Sequence, residues 1–172
     1  FISRLLSEFA EQGVLCRLAK GVYYKPVMTK FGVLMPDVQE IVKAIARRDN
    51  AQVLPTGETA ANMLGLSTQV PMNYVYLTSG SARKIMVGKK TVTFKRCVPK
   101  NFACQNEFLA VLIQAMKAIG QERLTDGHCV VIKGLLMKHL PIESLDADMK
   151  NAPLWVRRMV YNIIKALFHR KA

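Results

Sequence analysis

Acidic residues are scarce in this sequence. Aspartate and glutamate together number 12 among 172 residues, whereas lysine and arginine number 25, so the formal charge is +13. A chain with this balance offers few carboxylates for acid–base catalysis and attracts polyanions. Nucleic acid is the leading candidate partner, because neutralising its phosphates releases condensed counterions. A basic surface that serves only solubility is the alternative.

Residues that bind metals are also few and widely spaced. The four cysteines are Cys16, Cys97, Cys104 and Cys129, none of them in a CxxC pair, and the chain has three histidines. Zinc sites need closely spaced pairs of ligands. We therefore predict free thiols, and we expect neither a bound metal nor a cofactor.

Long apolar runs are missing too. No run approaches the roughly 20 apolar residues that span a bilayer. Arg4, Glu8 and Glu11 interrupt the N-terminal stretch where a signal peptide would be apolar. We therefore expect a cytoplasmic protein. Because the sequence begins with Phe1 and not with Met, we also expect further residues to precede it in the gene product.

The common catalytic motifs do not occur. The sequence has no GxGxxG, GxxxxGK[ST] or GxSxG pattern. His128 precedes Cys129, but neighbouring side chains in a strand point to opposite faces. Asp146 and Asp148 have the DxD spacing that nucleotidyltransferases use for magnesium, yet they lie in a predicted helix without an identifiable third carboxylate. We therefore expect a protein that is not an enzyme.

The N-terminal 25 residues predict a helix followed by a basic hairpin. Apolar residues recur at helical spacing over residues 1–12, and Gly13 ends the helix. Residues 14–18 and 22–25 are β-prone and are joined by a turn at Gly21. This order is that of the back half of a winged helix-turn-helix, although an ordinary helix and hairpin give the same pattern. The candidate DNA-binding residues are Ser3, Arg4 and Ser7 on the helix and Arg17, Lys20, Tyr23, Tyr24 and Lys25 on the hairpin.

The sequence predicts an α+β protein with two domains. The first, residues 1–50, adds a connector at 27–36 and a further helix to the winged-helix remnant. The second, residues 51–172, begins with a short strand and a helix, followed by strands at 74–79, 83–88 and 91–96 that we expect to form an antiparallel meander. Helices follow to the C-terminus, although residues 127–141 fit either a buried strand or a helix. The polar face of the last helix carries Arg157, Arg158, Lys165, Arg170 and Lys171.

A second group of basic residues lies at the turns and ends of the three predicted strands. Its members are Arg83, Lys84, Lys89, Lys90, Lys95 and Arg96. Two interpretations stay open at this point. The group is either a second phosphate-binding surface or a device that protects sheet edges from aggregation.

Two stretches of the sequence resemble a known family. CRLAKGVYYKPVMTKFGVLMP, and GETAANMLGLSTQVPMNYVYLTSGSAR followed by VTFKRCVPKN, resemble the AbiEi-like antitoxins of abortive-infection systems over about residues 14–120. The resemblance implies a winged helix, without its first helices here, joined to an antitoxin domain. The implied wing positions are Arg17, Lys20, Gly21, Tyr23, Tyr24 and Lys25, and the implied antitoxin-domain positions are Gly57, Ala60, Leu64, Gly65, Leu66 and Arg83.

The resemblance also implies a function. It predicts a bacterial repressor that binds inverted repeats in the promoter of its own operon and counteracts a nucleotidyltransferase-like toxin encoded beside it, without a stable complex between them. The alternative is an interaction module whose basic surface binds an acidic toxin without a direct role at DNA. A nucleotide-handling enzyme that uses Asp146 and Asp148 is a third hypothesis.

Overall fold

The computed structural model describes residues 1–169, so Arg170 and Lys171, predicted on the polar face of the last helix, lie outside the described residues. The described chain has the predicted α+β fold, with a helix and hairpin at its N-terminus and helices at its C-terminus. The helices are α1 (Ile2–Glu11), α2 (Val38–Asp49), α3 (Glu58–Met63), α4 (Glu107–Ile119), α5 (Asp126–His139), α6 (Leu145–Met149) and α7 (Leu154–His169). The strands are β1 (Cys16–Ala19), β2 (Val22–Tyr24), β3 (Val27–Thr29), β4 (Gly32–Leu34), β5 (Val53–Pro55), β6 (Asn73–Thr78), β7 (Arg83–Val87) and β8 (Lys90–Arg96).

The N-terminal helix and hairpin form where the sequence predicted them. Gly13 adopts a φ of +74° just after α1, a conformation that glycine reaches without steric cost. β1 and β2 pair antiparallel through a turn in which Gly21 has a φ of +70°. None of the α1 residues is buried, even though the helix carries a stripe of apolar side chains.

Residues 27–34, predicted as a connector, form a second antiparallel hairpin instead. Its strands β3 and β4 are joined by the two residues Lys30 and Phe31. Thr29 stabilises this turn, because its hydroxyl donates to the Gly32 carbonyl at 2.8 Å and accepts from the Phe31 N–H at 3.2 Å. The alternation of apolar and polar residues that marks a half-buried strand is absent here, because all residues of both strands are exposed.

The central sheet has the order β5-β6-β8-β7, which corrects the predicted antiparallel meander. All three predicted strands exist, but β6 pairs with β8 in parallel and does not pair with β7. β8 lies between them in the sheet, and its Val92 and Phe94 are almost completely buried. Residues 79–82 therefore cross the end of β8 to reach β7, which pairs antiparallel with β8 and forms the sheet edge.

One face of the sheet packs against α2 and the first hairpin. α2 contributes Val38, Ile41, Val42 and Ile45, the sheet contributes Tyr76, Ile85, Val87, Val92 and Phe94, and the hairpin contributes Val22. The rings of Tyr76 and Phe94, which are partners in the parallel register, stack with their centroids 6.0 Å apart. This core contains residues from both sides of residue 50, so the predicted domains 1–50 and 51–172 share it. The division of the chain into these two domains stays a prediction.

The other core is helical and lies around α4. Leu109, Leu112 and Met116 of α4 are inaccessible to solvent and pack with buried residues of α3, α5 and α7. The stretch 127–141, which fitted either a strand or a helix, is helical through His139 and belongs to α5 up to that residue. Its start is fixed by Thr125, whose hydroxyl accepts from the His128 N–H while the His128 ring accepts from the Thr125 N–H.

Between residues 1 and 169, no helix is both long enough and apolar enough to cross a membrane.

A buried carboxylate anchors α6 to the start of α4. Asp148 is 1% exposed and accepts hydrogen bonds from the N–H groups of Gln105 (2.7 Å) and Asn106 (2.9 Å) and from the Ser144 hydroxyl (2.8 Å). Burial by itself would raise the pKa of Asp148, but these hydrogen bonds outweigh it and hold the pKa below its usual range. The carboxylate is therefore charged and saturated with donors, which gives it a structural role.

We expect Asp148→Ala to lower the free energy of unfolding by about 3 kcal/mol, because three donors in the interior lose their acceptor. Urea denaturation at pH 7 measures this loss. Asp146→Ala is the matched control in the same DxD pair, since Asp146 is exposed, and we expect it to cost about 1 kcal/mol or less. Equal losses in the two variants would contradict the anchoring role.

The stability difference between the wild type and Asp148→Ala also depends on pH. A carboxylate whose folded-state pKa is lowered contributes its full stabilisation above its unfolded pKa of about 3.9. That contribution is lost as the pH falls through the folded-state pKa. We therefore expect the difference to be constant between pH 5 and 7 and to shrink below about pH 4. A stability difference between the two proteins that grows as the pH falls would show that the pKa of Asp148 is raised and not lowered.

Candidate nucleic-acid interface

The helix residues predicted to contact DNA divide between solvent and the hairpin. Ser3 and Arg4 are exposed, and Arg4 forms a surface ion pair with Glu8 at 3.0 Å. Ser7 is partly buried instead, and its hydroxyl lies 3.2 Å from the Tyr23 hydroxyl. Ser7 therefore holds α1 to β2, which leaves Ser3 and Arg4 as the residues of this group that α1 presents outward.

The two tyrosines of the first hairpin turn their hydroxyl groups toward the protein. Tyr23 contacts Ser7, and the Tyr24 hydroxyl donates to the sulfur of Met35 at 3.5 Å. Burial raises the pKa of Tyr24, and a hydrogen bond with Cys16 on the opposite strand adds to the effect. The expectation that one of these hydroxyls donates to a phosphate is not matched by this arrangement, in which both act as internal contacts.

The cations of the first hairpin face solvent. Arg17, Lys20 and Lys25 are exposed. The guanidinium carbon of Arg17 lies 6.0 Å from the centroid of the Tyr23 ring, its cross-strand partner, so the ring supports the cation without neutralising it. Their exposure is compatible with a wing, and binding of phosphates by these cations stays a prediction.

The turn of this hairpin is fixed by Arg48, at the end of α2. The Arg48 Nη1 donates to the carbonyls of Lys20 at 3.1 Å and Gly21 at 3.0 Å. A Cβ at residue 21 would lie 2.9 Å from that same nitrogen, so glycine serves both the positive φ and the close approach. A cation in the last turn of a helix suits the helix dipole, but no local pattern in the sequence reveals the distant partner of Arg48.

Asp49 extends this contact to the central sheet. Its Oδ1 accepts from Arg48 Nε at 2.8 Å, and its Oδ2 accepts from Arg83 Nη2 at 2.5 Å. The hydrogen bond from Arg48 is the main reason why the pKa of Asp49 lies below its usual range, with Arg83 adding to it. The network joins the turn of the first hairpin, the end of α2 and the start of β7.

The second basic group is distributed over two faces of the sheet. Arg83 lies on the α2 side, where Asp49 pairs with its charge. Lys84 and Lys95 are exposed on the opposite face, because side chains alternate along β7 and β8. Lys89 lies in the turn between these strands, and the Lys90 ammonium lies 5.7 Å from the centroid of the Tyr74 ring. Arg96 is exposed at the end of β8.

Met35 brings the two basic groups together. Its sulfur accepts from Tyr24 at the end of the first hairpin, and its Cγ lies 3.6 Å from where a Cβ of Gly88 would be. Gly88 and Lys89 form the turn between β7 and β8. The base of the second hairpin is therefore located between Lys25, which follows Tyr24, and Lys89. The sequence does not reveal this arrangement, because residues 27–36 read as a connector.

The acidic, histidine and cysteine side chains that could have suggested catalysis or metal binding have structural contacts in the fold. Asp148 is saturated by internal donors, and Asp146 accepts from the Tyr161 hydroxyl. His128 caps α5 and also contacts the Leu66 carbonyl through Nε2 at 3.1 Å. Burial raises the pKa of Cys104 to about 12, so this thiol is protonated at neutral pH. Among residues 1–169, no cluster of histidine, cysteine, aspartate or glutamate could hold a metal ion.

The sequence matches the model of a known protein family. The model of a family of unknown function, DUF6088, matches residues 1–144. The chain belongs to this family. No curated protein and no solved structure matches the sequence. The match begins at Phe1, directly before α1, and extends through the sheet into the helical core, so it includes both basic groups described above.

We expect Asp49→Asn to lower the free energy of unfolding by about 1 kcal/mol, because the amide keeps the shape of the carboxylate but loses its attraction for two guanidinium groups. Glu8→Gln is the control, since it removes the carboxylate of an ion pair whose side chains are 86% and 45% exposed. We expect the control to leave stability nearly unchanged.

Urea denaturation and amide hydrogen exchange at Lys20 and Gly21 measure the two effects. Faster exchange at this turn in Asp49→Asn, but not in Glu8→Gln, is the expected result. A turn that exchanges equally in both variants would contradict the role of the network.

Proposed function

We propose that this DUF6088 protein is a bacterial DNA-binding regulator that represses its own operon and acts as an antitoxin. The repressor binds duplex DNA through α1 and the first hairpin, with α1 toward the major groove and the hairpin against the neighbouring backbone. Such a protein works in the cytoplasm and needs no catalytic site or cofactor. Its antitoxin activity opposes a nucleotidyltransferase-like toxin encoded in the same operon.

The observation that carries this proposal is the arrangement of α1, Gly13 and the first hairpin. Ser3 and Arg4 are presented on one element, and Arg17, Lys20 and Lys25 on the next. The hairpin is held by hydrogen bonds from Arg48 to its turn, so its cations are displayed on a fixed support. A net charge of +13 adds long-range attraction for DNA.

The antitoxin part of the proposal is supported by the resemblance to AbiEi-like antitoxins. The stretch that carries it forms α3 with its following loop, β6 and the start of β7. Co-expression with the adjacent gene tests this part. We expect the protein to restore growth to cells that express the neighbouring toxin. If growth stays arrested although the protein accumulates, the antitoxin part is wrong.

A second candidate function is that of an interaction module that binds an acidic toxin. The exposed Lys84 and Lys95 on the face of the sheet away from α2 favour this candidate, because they lie apart from the first hairpin. Salt dependence does not separate the two functions, since both are electrostatic. Sequence preference among DNA duplexes does separate them.

A gel-shift titration tests the repressor function. The probe is the duplex upstream of the protein's own gene, and a scrambled duplex of equal length and composition is the control, each at two salt concentrations. We expect tight, salt-sensitive binding to the upstream duplex and at least about a thousandfold weaker binding to the scrambled one. Equal and weak binding to both duplexes would contradict the repressor function and favour the interaction module.

We expect the double variant Arg17→Ala, Lys20→Ala to bind the upstream duplex about tenfold more weakly, with the slope of log K against log salt reduced by about 2. The variant should retain its unfolding midpoint, because both side chains are exposed. Arg158→Ala, Lys165→Ala is the matched control, since it removes two exposed cations from α7. Equal losses of affinity in both double variants would assign binding to net charge and not to the hairpin.

A further inference from the structure

The second hairpin leaves its apolar side chains exposed. Phe31 at its tip is 100% exposed, and Met28 and Leu34 on its strands are 73% and 58% exposed. Val27 and Val33 are exposed as well. Five exposed apolar side chains on one hairpin form a cluster, and contiguous exposed apolar patches mark sites of interaction.

This hairpin has a defined shape. The Thr29 hydroxyl bonds both to the Gly32 carbonyl and to the Phe31 N–H, which closes the two-residue turn around Lys30 and Phe31. At the other end, Met35 contacts Tyr24 and lies beside Gly88. The tip therefore projects from an anchored base, and the Phe31 ring is displayed at the end of the ribbon.

Most charged residues in and beside the second hairpin are cations, and one exposed carboxylate, Asp37, follows it directly after Pro36. From Gln12 to Pro36 the chain has four cations and no carboxylate. Lys30 lies beside Phe31 in the turn, Lys25 precedes β3, and Lys89 lies in the turn next to Met35. An apolar tip among cations suits a ligand that has an anionic exterior and stacked aromatic groups inside. Duplex DNA has both.

We propose that the second hairpin is a DNA wedge. Phe31 inserts between two base pairs from the minor groove, while Lys25, Lys30 and Lys89 bind the flanking phosphates. The inserted ring partly unstacks the step and kinks the duplex toward the major groove. The wedge contacts the duplex beside the segment that α1 and the first hairpin cover. This inference rests on the proposed binding of duplex DNA and adds a deformation of the DNA to it.

The second hairpin then contributes to sequence preference without contacting the edges of the bases. Pyrimidine–purine steps unstack most easily, so a wedge favours a flexible step at a fixed distance from the bases that α1 reads. The first hairpin cannot supply this preference, because its exposed groups are cations that contact the backbone.

Gel mobility of circularly permuted fragments of the upstream duplex tests the wedge. We expect the wild type to bend the duplex by at least about 20°, and Phe31→Ala to bind about tenfold more weakly and to abolish the bend. The salt slope should not change, because the variant removes no charge. Phe31→Leu should retain most of the bend, since leucine also acts as a wedge. Phe168→Ala, which removes another exposed ring, is the control.

A second readout is the fluorescence of 2-aminopurine placed in turn at each position of the bound segment. We expect one step to brighten with the wild type and none with Phe31→Ala. Wild-type binding without a bend or a bright step would overturn the wedge and leave the repressor function intact. A wild type that binds neither duplex would overturn both. If Phe31→Ala instead changes the sedimentation coefficient of the free protein, the hairpin is a contact between protein copies and the wedge is overturned.

Discussion

Asp49 contacts two arginines that come from different parts of the chain, and the positions of the basic elements depend on this contact. Through Arg48 it stabilises the turn of the first hairpin, and through Arg83 it stabilises the start of the edge strand. Without it, two guanidinium groups would repel each other at the junction of α2 and the sheet. In a chain of charge +13, each carboxylate placed between cations has a large effect on which positive groups remain free.

The structure accordingly separates the cations into two sets. Arg48 and Arg83 are used internally, because their partners are carbonyls and a carboxylate of the same chain. The other set, which includes Arg17, Lys20 and Lys25, remains exposed. A count of basic residues therefore overstates the charge available to a polyanion. The exposure of each cation and its partners within the chain decide how much of its charge is free.

Local structure was largely predictable from the sequence, and long-range arrangement was not. α1 and the first hairpin follow from helical periodicity and from Gly13 and Gly21, whose positive φ values are local requirements. The order of the sheet depends on pairing between strands that are distant in the sequence, such as β6 with β8, and the sequence of turns does not reveal that order. The second hairpin escaped prediction because its residues do not alternate between apolar and polar. Its strands bury neither face, so burial imposes no such alternation on them.

The candidate site shows the same limit. Arg4, Arg17, Lys20 and Lys25, named from the sequence as candidate DNA contacts, are exposed in the structure. The inward direction of the Tyr23 and Tyr24 hydroxyls was not, because their partners are distant in the sequence or outside the predicted elements. Whether the exposed cations bind DNA stays a prediction.

α1 has 10 residues and buries none of them. A helix of that length is marginally stable in water by itself, and a hydrogen bond between Ser7 and Tyr23 adds only a small stabilisation. The free energy needed to open α1 is therefore much smaller than that needed to unfold α4, which is enclosed by the helical core. For any ligand that covers α1, part of the binding free energy offsets the conformational entropy that α1 loses when it is held helical. Its affinity is then coupled to helix formation and decreases as the temperature rises and the helix melts.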